Sequence, residues 1–349
     1  MQAHLLNNSI TMIATANEKG YQSNQLNESF TFEQFEEECI FECNSHFFYH
    51  KYSSKSKMNT VSFSEAFSCR FPNKQNKNSR VHLRQHDKEP NNSEIFRCVA
   101  IGYGQNVLSL CLNHCSVTDR MVEAFLPHLH RVQYIQFEGI EIGADSIRAI
   151  AKFCGETLKS LRVKGCRSIT SESCGWMAGA IGHNSPRLRK LRALDVSSTK
   201  VDDRGFSFLS KGFSLLEYID LGGCTNLTNK CLQKHMNHGS FNFMQVLNMR
   251  GCKGINDEGV VAIATMMPAL KHLNLSLCGV LTNITASAIG EGCTQLETLS
   301  LEGAVEINDV GLGLLAKRTK LSLLNITGCN VTRKSLLAIV FALGFLSIF

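Results

Sequence analysis

One apolar pattern recurs nine times between Val107 and the end of this chain, at a nearly constant interval. The pattern is L-x-x-L-x-L-x-x-C, and its clearest copies begin at Leu158 and Leu270. The copies begin at Val107, Val132, Leu158, Leu191, Leu216, Met244, Leu270, Leu296 and Leu321. Successive starts are 25 to 28 residues apart, except for one interval of 33 residues after Leu158. A fixed period of this length predicts a solenoid, because a unit this short cannot bury its own apolar face and must stack on its neighbours.

Each repeat is predicted to contain a strand, a turn and a helix. The residues at positions +3 and +5 from the repeat start, such as Leu161 and Val163, are apolar and point into the core, whereas those at +2, +4 and +6 point to the opposite face. Asn, Thr or Asp then follows, as at Asn256 and Asn308, where a side chain can accept hydrogen bonds from the first N–H groups of a helix. The predicted fold is an α/β horseshoe with a parallel concave sheet and convex helices.

Three stretches of the chain differ in composition. Residues 1–93 are rich in Asn, Ser, Lys and Gln and have no sustained period, which predicts a low-complexity and mostly disordered segment. Residues 94–106 are predicted to cap the first strand, and residues 107–349 to form the nine repeats. The aromatic patch Phe30–Tyr52 fits either a short docking helix or a disordered segment. The apolar stretch Ser335–Phe349 is predicted to be the last helix followed by an incomplete cap.

The cysteines are concentrated at one position of the repeat, +8. Six of the 15 cysteines occupy it, namely Cys115, Cys166, Cys224, Cys252, Cys278 and Cys329. The other three repeats have Ile140, Thr199 and Ala304 there, which indicates a small, mostly buried packing site. Free thiols in this number predict a reducing compartment, the cytoplasm or the nucleus.

Other classes of function find little support in the sequence. A net charge of +6 is too small to predict nucleic acid as a partner. No secretory signal is apparent in the sequence, and no apolar run reaches the about 20 residues that a membrane-spanning helix needs. We therefore expect no contact with a membrane. No nucleophile elbow, zinc-protease or P-loop pattern occurs, so we expect no enzyme and no cofactor. Cys39, Cys43, His46 and His50 are spaced too closely for a zinc finger, and no metal site is predicted.

The repeats resemble the cysteine-containing leucine-rich repeats of F-box/LRR proteins and of the mitotic-exit-antagonist group. The pattern of that family is L-x-x-L-x-L-x-x-C-x-x-I-T-D-x-G-L, and Gly251–Val260 and Glu302–Leu312 follow it closely. The resemblance covers about 240 residues. It implies a leucine-rich-repeat horseshoe that binds a protein. F-box members recruit substrates to SCF-type ubiquitin ligases, with Skp1 and cullin as further partners.

The F-box itself is the point at which the chain departs from that family. An F-box usually opens with Leu-Pro and an acidic-apolar helix, and nothing in residues 1–93 aligns with it. Two functions therefore remain open. One is substrate recognition for an SCF-type ubiquitin ligase in protein catabolism, and the other is an LRR-only scaffold or inhibitor without connection to a ligase.

The predicted partner-binding residues occupy the outward positions of the strands. Any one of them fits a merely solvated sheet residue, but an extended concave face predicts binding of a protein. Interfaces are enriched in Arg and Tyr, which gives these residues the most weight among the candidates. Both signs of charge occur along the face, which predicts a partner of mixed charge. We expect the chain to be a monomer outside its complex. The candidates are Tyr134, Gln136, Glu138, Arg162, Lys164, Asp195, Tyr218, Asp220, Asn248, Arg250, His272, Asn274, Glu302 and Asn325.

Overall fold

The computed structural model describes residues 11–13, 79–84, 107–113, 117–182, 185–233, 241–318 and 321–343. The chain divides into two compact units. The first unit is Phe32–Asp220, and the second unit combines Leu221–Phe349 with Met1–Thr31.

Strands and helices alternate along the repeats of both units. The strands are β1 (Thr11–Ile13), β2 (Ser79–Arg84), β3 (Val107–Asn113), β4 (Tyr134–Glu138), β5 (Ser160–Arg162), β6 (Ala193–Asp195), β7 (Tyr218–Asp220), β8 (Val246–Asn248), β9 (His272–Asn274), β10 (Thr298–Ser300) and β11 (Leu323–Asn325). The helices are α1 (Asp119–Phe125), α2 (Ala144–Cys154), α3 (Ser171–Ala178), α4 (Asp203–Gly212), α5 (Asn229–Gln233), α6 (Asp257–Met266), α7 (Asn283–Gly292), α8 (Asp309–Arg318) and α9 (Arg333–Leu343).

Each unit contains a parallel sheet built in chain order. In the first unit, β2 to β7 pair consecutively and in parallel. In the second unit, β8 to β11 do the same, and β1 lies antiparallel to β11. The predicted leucine-rich-repeat solenoid, with parallel strands alternating with helices, is confirmed.

The N-terminal predictions mostly concern residues outside the described ranges. Residues 79–84 belong to the segment that the sequence indicates to be of low complexity, yet they form β2 beside β3, where Val81 and Leu83 alternate with polar residues. The predicted cap at 94–106, the aromatic patch at 30–52 with its Cys and His residues, and Cys115 all lie outside the described residues.

Backbone hydrogen bonds continue between neighbouring repeats beyond the three-residue strands. The N–H at +5 donates to the carbonyl at +4 of the next repeat, as from Val163 to Asp195 at 2.8 Å. The N–H at +7 donates to the carbonyl at +6 of the next repeat, as from Gly303 to Thr327 at 2.7 Å. The apolar residues at +3 and +5 of this repeat, Leu161 and Val163, are fully buried. Stacking therefore satisfies the backbone and buries the core together.

The cysteine at +8 is a hydrogen-bond donor to the preceding repeat. Its thiol donates to the carbonyl at +5 of that repeat, from Cys166 to Phe137 at 3.5 Å and from Cys278 to Met249 at 3.1 Å. The same bond joins Cys252 to Leu221 at 3.2 Å and Cys329 to Leu301 at 3.4 Å. Burial raises the pKa of Cys278 to about 12, so the thiol keeps its proton and remains a donor. The cysteines of the described residues are free thiols.

Polar side chains link the helix N-termini of neighbouring repeats. Asp257, the first residue of α6, accepts hydrogen bonds from the backbone N–H and the hydroxyl of Thr282 at 2.9 and 2.7 Å. It also accepts from the backbone N–H and the hydroxyl of Thr285 at 3.2 and 2.6 Å. Asn283 instead exchanges two bonds with Asn308, at 2.9 and 3.1 Å. Where the first residue of a helix is Asp, its partner in the next repeat is thus a hydroxyl donor. Where the first residue is Asn, its partner is another side-chain amide.

The Asp257 carboxylate is stabilised in its charged form. Partial burial opposes ionisation, but the hydrogen bonds from Thr282 and Thr285 outweigh it and lower the pKa of Asp257 below its ordinary value of 3.8. A carboxyl whose pKa is lower in the folded state contributes stability above its unfolded pKa, and this contribution is lost as the pH falls through the folded pKa.

We expect Asp257→Asn to lower the free energy of unfolding by about 1 kcal/mol at pH 7, because hydrogen bonds to a charged group are replaced by neutral ones. The difference from wild type should shrink as the pH falls below the ordinary value of 3.8 and disappear once the pH has fallen through the lower folded pKa, where Asp257 itself becomes protonated. Urea unfolding at several pH values measures this. Asp145→Asn is the matched control, because Asp145 is exposed and contacts Arg148 of its own helix; an equal loss in the control would contradict the prediction.

Position +7 requires a left-handed backbone, and Leu277 adopts it at a cost. Gly165, Gly251 and Gly303 occupy this position in other repeats, with φ between 67° and 81°. Leu277 has φ of 55° although a side chain disfavours this region. Its side chain remains 46% exposed.

Replacing Leu277 by Gly should therefore change the free energy of unfolding by less than about 1 kcal/mol, because relief of backbone strain offsets the lost contacts and the added freedom of the unfolded chain. The matched substitution Leu275→Ala, two residues earlier and fully buried, should cost about 2–5 kcal/mol. Chemical denaturation of both variants checks this, and a loss of several kcal/mol for Leu277→Gly would show that the contacts dominate.

Candidate partner-binding face

The candidate site is the open sheet face, which we define as the side chains at positions +2, +4 and +6 of the strands. Strand register places the candidates side by side within each unit. In the first unit the +4 row is Gln136, Arg162, Asp195 and Asp220. In the second unit the +4 row is Asn248, Asn274, Ser300 and Asn325. Tyr134 and Tyr218 lie in the +2 row of the first unit, and His272 lies in the +2 row of the second.

Five of the fourteen candidates are buried, so direction alone does not make them available to a partner. They are Arg162, Asp195, Tyr218, His272 and Asn274. The exposed or half-buried candidates are Tyr134, Gln136, Glu138, Lys164, Asp220, Asn248, Arg250, Glu302 and Asn325. A partner that approaches the face in this conformation meets the second group first.

A buried ion pair joins two of the first unit's candidates. The Arg162 Nε lies 2.8 Å from Asp195 Oδ2, and the two side chains are only 8% and 1% exposed. The other oxygen, Asp195 Oδ1, accepts hydrogen bonds from the N–H and hydroxyl of Ser197 at 2.9 and 2.6 Å. Lys164 and Glu138 form a more exposed pair at 3.1 Å. The face of the first unit therefore contains both signs of charge in fixed positions.

In the second unit a bidentate ion pair crosses an entire repeat. The guanidinium of Arg250 binds both carboxylate oxygens of Glu302, at 2.5 and 3.3 Å, although these residues are two repeats apart. Arg250 is 45% exposed and Glu302 is 30% exposed. A pair of this exposure contributes little to stability, which leaves both charges available for exchange with a partner.

The asparagines at +4 have a structural role that the sequence analysis did not identify. The side-chain oxygen of Asn248 accepts a hydrogen bond from the N–H of Arg250 at 3.0 Å, and that of Asn274 does the same with Ser276 at 3.0 Å. Asn325 repeats this bond with Thr327 at 3.0 Å. These side chains end the strand by satisfying the N–H at +6. The side-chain oxygens of these asparagines are therefore committed to the backbone.

His272 is neutral in its buried position. Burial, and then the charge of Lys271, lower the pKa of His272 to about 4. Its Nδ1 lies 2.9 Å from the hydroxyl of Thr298. A cavity of about 20 Å³ lies beside them, lined also by Asn274 and Ser300. This volume holds about one water molecule, whereas small-molecule sites measure about 300–1,000 Å³. The cavity is therefore too small for a substrate.

Hydroxyl groups are the part of this face that sequence reasoning did not select. Thr298 contacts His272, and the hydroxyls of Ser276 and Ser300 lie 2.7 Å apart. All three occupy outward positions of the same repeats as the selected residues. The repeat period places them at the same outward positions as the candidates, but the enrichment of Arg and Tyr at interfaces favoured other residues.

The described residues contain neither a cluster of metal ligands nor a membrane-spanning helix. No group of three or more His, Cys, Asp or Glu side chains there is arranged to hold a metal ion. In the same residues, no helix combines the length and the apolar character needed to cross a bilayer.

Stacked strand–turn–helix units with a thiol at the turn define a leucine-rich-repeat protein. The leucine-rich-repeat family model matches residues 187–210 and 242–264. The solved yeast complex of Rad7 and Elc1 has a similar fold, with a TM-score of 0.53, 18% identity, and coverage of 65% of this chain and 57% of that one. This likeness concerns the fold alone. The chain therefore has the fold of leucine-rich-repeat solenoids.

Sequence relatives confirm the resemblance seen in the repeats. "Antagonist of mitotic exit network protein 1" of Eremothecium gossypii is 34% identical over 258 residues, covering 71% of this chain and 62% of the relative. "Putative F-box/LRR-repeat protein 9" of Arabidopsis thaliana is 33% identical over 132 residues, covering 38% of this chain and 52% of the relative. The chain thus spans less than two thirds of either relative. The Candida glabrata antagonist is 30% identical over 96 residues, which is 27% of this chain and 19% of the relative.

Asp195→Asn should lower the free energy of unfolding by about 3 kcal/mol, because it leaves the buried Arg162 charge without its carboxylate. The double variant Arg162→Met with Asp195→Asn should recover most of this loss. Neither charge then remains, and Asn still accepts from the N–H of Ser197, as Asn248 does from Arg250. A double-mutant cycle in urea measures the coupling. Additive losses would show that the two residues act independently.

Proposed function

We propose that this chain recognises substrate proteins for an SCF-type ubiquitin ligase and binds them through the open sheet face. Similarity to the Arabidopsis F-box/LRR relative over 132 residues supports the link to a ligase. Similarity to the antagonists of the mitotic exit network supports action in the cytoplasm or the nucleus. In this proposal the chain is a monomer until it joins Skp1 and cullin.

The observation that best supports binding by this face is that its charged side chains form partly exposed ion pairs at fixed spacing, in which a partner can replace one member. Arg250 and Glu302 are held opposite each other across a repeat, and Lys164 and Glu138 are paired in the first unit. Strand register sets their spacing, so little ordering is needed when a partner replaces one member of a pair. Because both signs are present, a protein of mixed charge fits better than a polyanion.

An LRR-only scaffold or inhibitor is the second candidate function. It is favoured because the sequence of residues 1–93 has no Leu-Pro opening and nothing that aligns with the acidic-apolar pattern of an F-box. In this case the open sheet face binds its partner in the same way, but no adaptor of a ubiquitin ligase joins the chain.

A pull-down with purified Skp1 and cullin separates the two functions. We expect the full-length chain to retain Skp1, and a chain that begins at residue 79, which keeps β2, to lose it. Arg250→Glu should leave Skp1 binding unchanged, because Arg250 lies on the face assigned to the substrate. Circular dichroism of each variant confirms that the repeats remain folded.

Failure of the full-length chain to retain Skp1 would contradict the ligase assignment and support the scaffold. Retention by the shortened chain would place the adaptor site in the repeats rather than in the N-terminal segment. Loss of Skp1 binding in Arg250→Glu would mean that the open sheet face itself contacts the adaptor, which also contradicts the proposal.

A further inference from the structure

Five large apolar side chains are exposed in two adjacent repeats of the second unit. Their exposed fractions are 46% for Leu277, 65% for Val280, 59% for Ile284, 61% for Val305 and 66% for Val310. All five follow β9 or β10, in the turn or in the first turn of α7 or α8. We call this set the apolar edge; none of its members occupies position +2, +4 or +6, which define the open sheet face.

Hydrogen bonds between the two repeats hold the apolar edge together. Asn283 and Asn308 bind each other through two bonds, and Ile284 and Val310 follow them as the second residues of α7 and α8. The Leu277 side chain lies over Gly303, where an added Cβ would come within 2.9 Å of it. The apolar groups therefore lie on neighbouring turns rather than scattered over the surface.

Backbone strain at Leu277 is an independent sign of function. Leu277 has φ of 55° at a position where Gly165, Gly251 and Gly303 are found in other repeats. A strained residue with a half-exposed apolar side chain gains little from the core. Strain of this kind concentrates at functional sites, where the side chain has a role beyond folding.

Charges of opposite sign flank the apolar edge. The second residues of α6 to α9 form a row that reads Glu258, Ile284, Val310 and Lys334. The contacts of Asp257 with Thr282 and of Asp309 with Thr332 hold neighbouring members of this row side by side. Arg333 adds a second exposed cation beside Lys334. Among the described residues, no ion pair involves either cation.

The size of the apolar edge favours a short segment over a second copy of the chain. The exposed fractions correspond to about 500 Å² of surface, within the ~300–600 Å² typical of the largest and often functional apolar patches of monomers. A standard stable protein interface buries about 800 Å² on each partner. The edge is therefore small for a dimer and large enough for a peptide.

We propose that the apolar edge binds a short segment of a partner protein in which at least two large apolar side chains lie between a basic residue and an acidic residue. The apolar side chains cover Ile284 and Val310. The basic residue meets Glu258, and the acidic residue meets Lys334. This site does not depend on the function proposed for the open sheet face.

Selection from a random 12-residue peptide library displayed on phage, with the full-length chain as bait, tests this proposal. We expect enriched peptides with at least two large apolar residues, Lys or Arg toward one end, and Asp or Glu toward the other. The enriched peptides are then synthesised and labelled, and their affinity is measured by fluorescence polarisation.

Variants of the chain identify the surface that the peptides contact. Val310→Asp should weaken binding at least about tenfold, and so should Leu277→Gly, which relieves strain and keeps the repeats folded. Val261→Asp is the matched control, because Val261 is 37% exposed on α6 outside the apolar edge, and it should leave the affinity unchanged. Lys334→Glu should shift the selected peptides toward basic residues at both ends.

Three outcomes would overturn the proposal. Peptides that bind wild type and Val310→Asp equally would place the site elsewhere, and peptides without flanking charges would remove the role of Glu258 and Lys334. Sedimentation that shows self-association of the wild type, lost in Val310→Asp, would identify a second copy as the occupant. Arg250→Glu, which alters only the open sheet face, should not affect the peptides.

Discussion

Hydrogen bonds between neighbouring repeats are the constraint on which this structure depends. A three-residue strand cannot satisfy its own backbone, so each repeat takes donors and acceptors from the next. The thiol of Cys252 shows how far this extends, because it supplies a donor to the Leu221 carbonyl at the turn, where the strand ladder ends. Where Thr199 replaces the cysteine, its hydroxyl binds the Val196 carbonyl of its own repeat at 2.6 Å. Where Cys or Thr occupies position +8, the side chain provides a hydrogen-bond donor rather than a reactive sulfur, and Ile140 and Ala304 only fill the same space.

The same constraint separates structural polar residues from those that can bind a partner. Asp257 and Asn283 are polar and partly exposed, yet their side chains are occupied by the following repeat. Asn274 and Asn325 each use one oxygen to end a strand. Arg250 differs, because its contact with Glu302 is a partly exposed ion pair of small energetic value. It can leave that contact without uncovering a buried polar group.

The period alone is sufficient to predict the alternation of strands and helices, since it fixes which residues must be buried. It also predicts the row that contains Arg162 and Asp195, although the longest repeat separates them by 33 positions. Period cannot predict burial on the outward face, because alternation gives the direction of a side chain and not what lies around it. The ion pair and the neutral state of His272 follow from three-dimensional neighbours, and therefore needed the structure.

The apolar edge was missed because its residues lie outside the periodic apolar set, in turns where sequence reasoning expects polar groups. The one local signal was a leucine where other repeats have glycine. Ser198 shows why that signal is insufficient alone, because it has nearly the same φ, 56°, without an apolar side chain. What distinguishes Leu277 is the coincidence of strain with exposed neighbours such as Val280 and Val305. The open sheet face and the apolar edge are thus fixed by different means, the first by strand register and the second by paired helix N-termini.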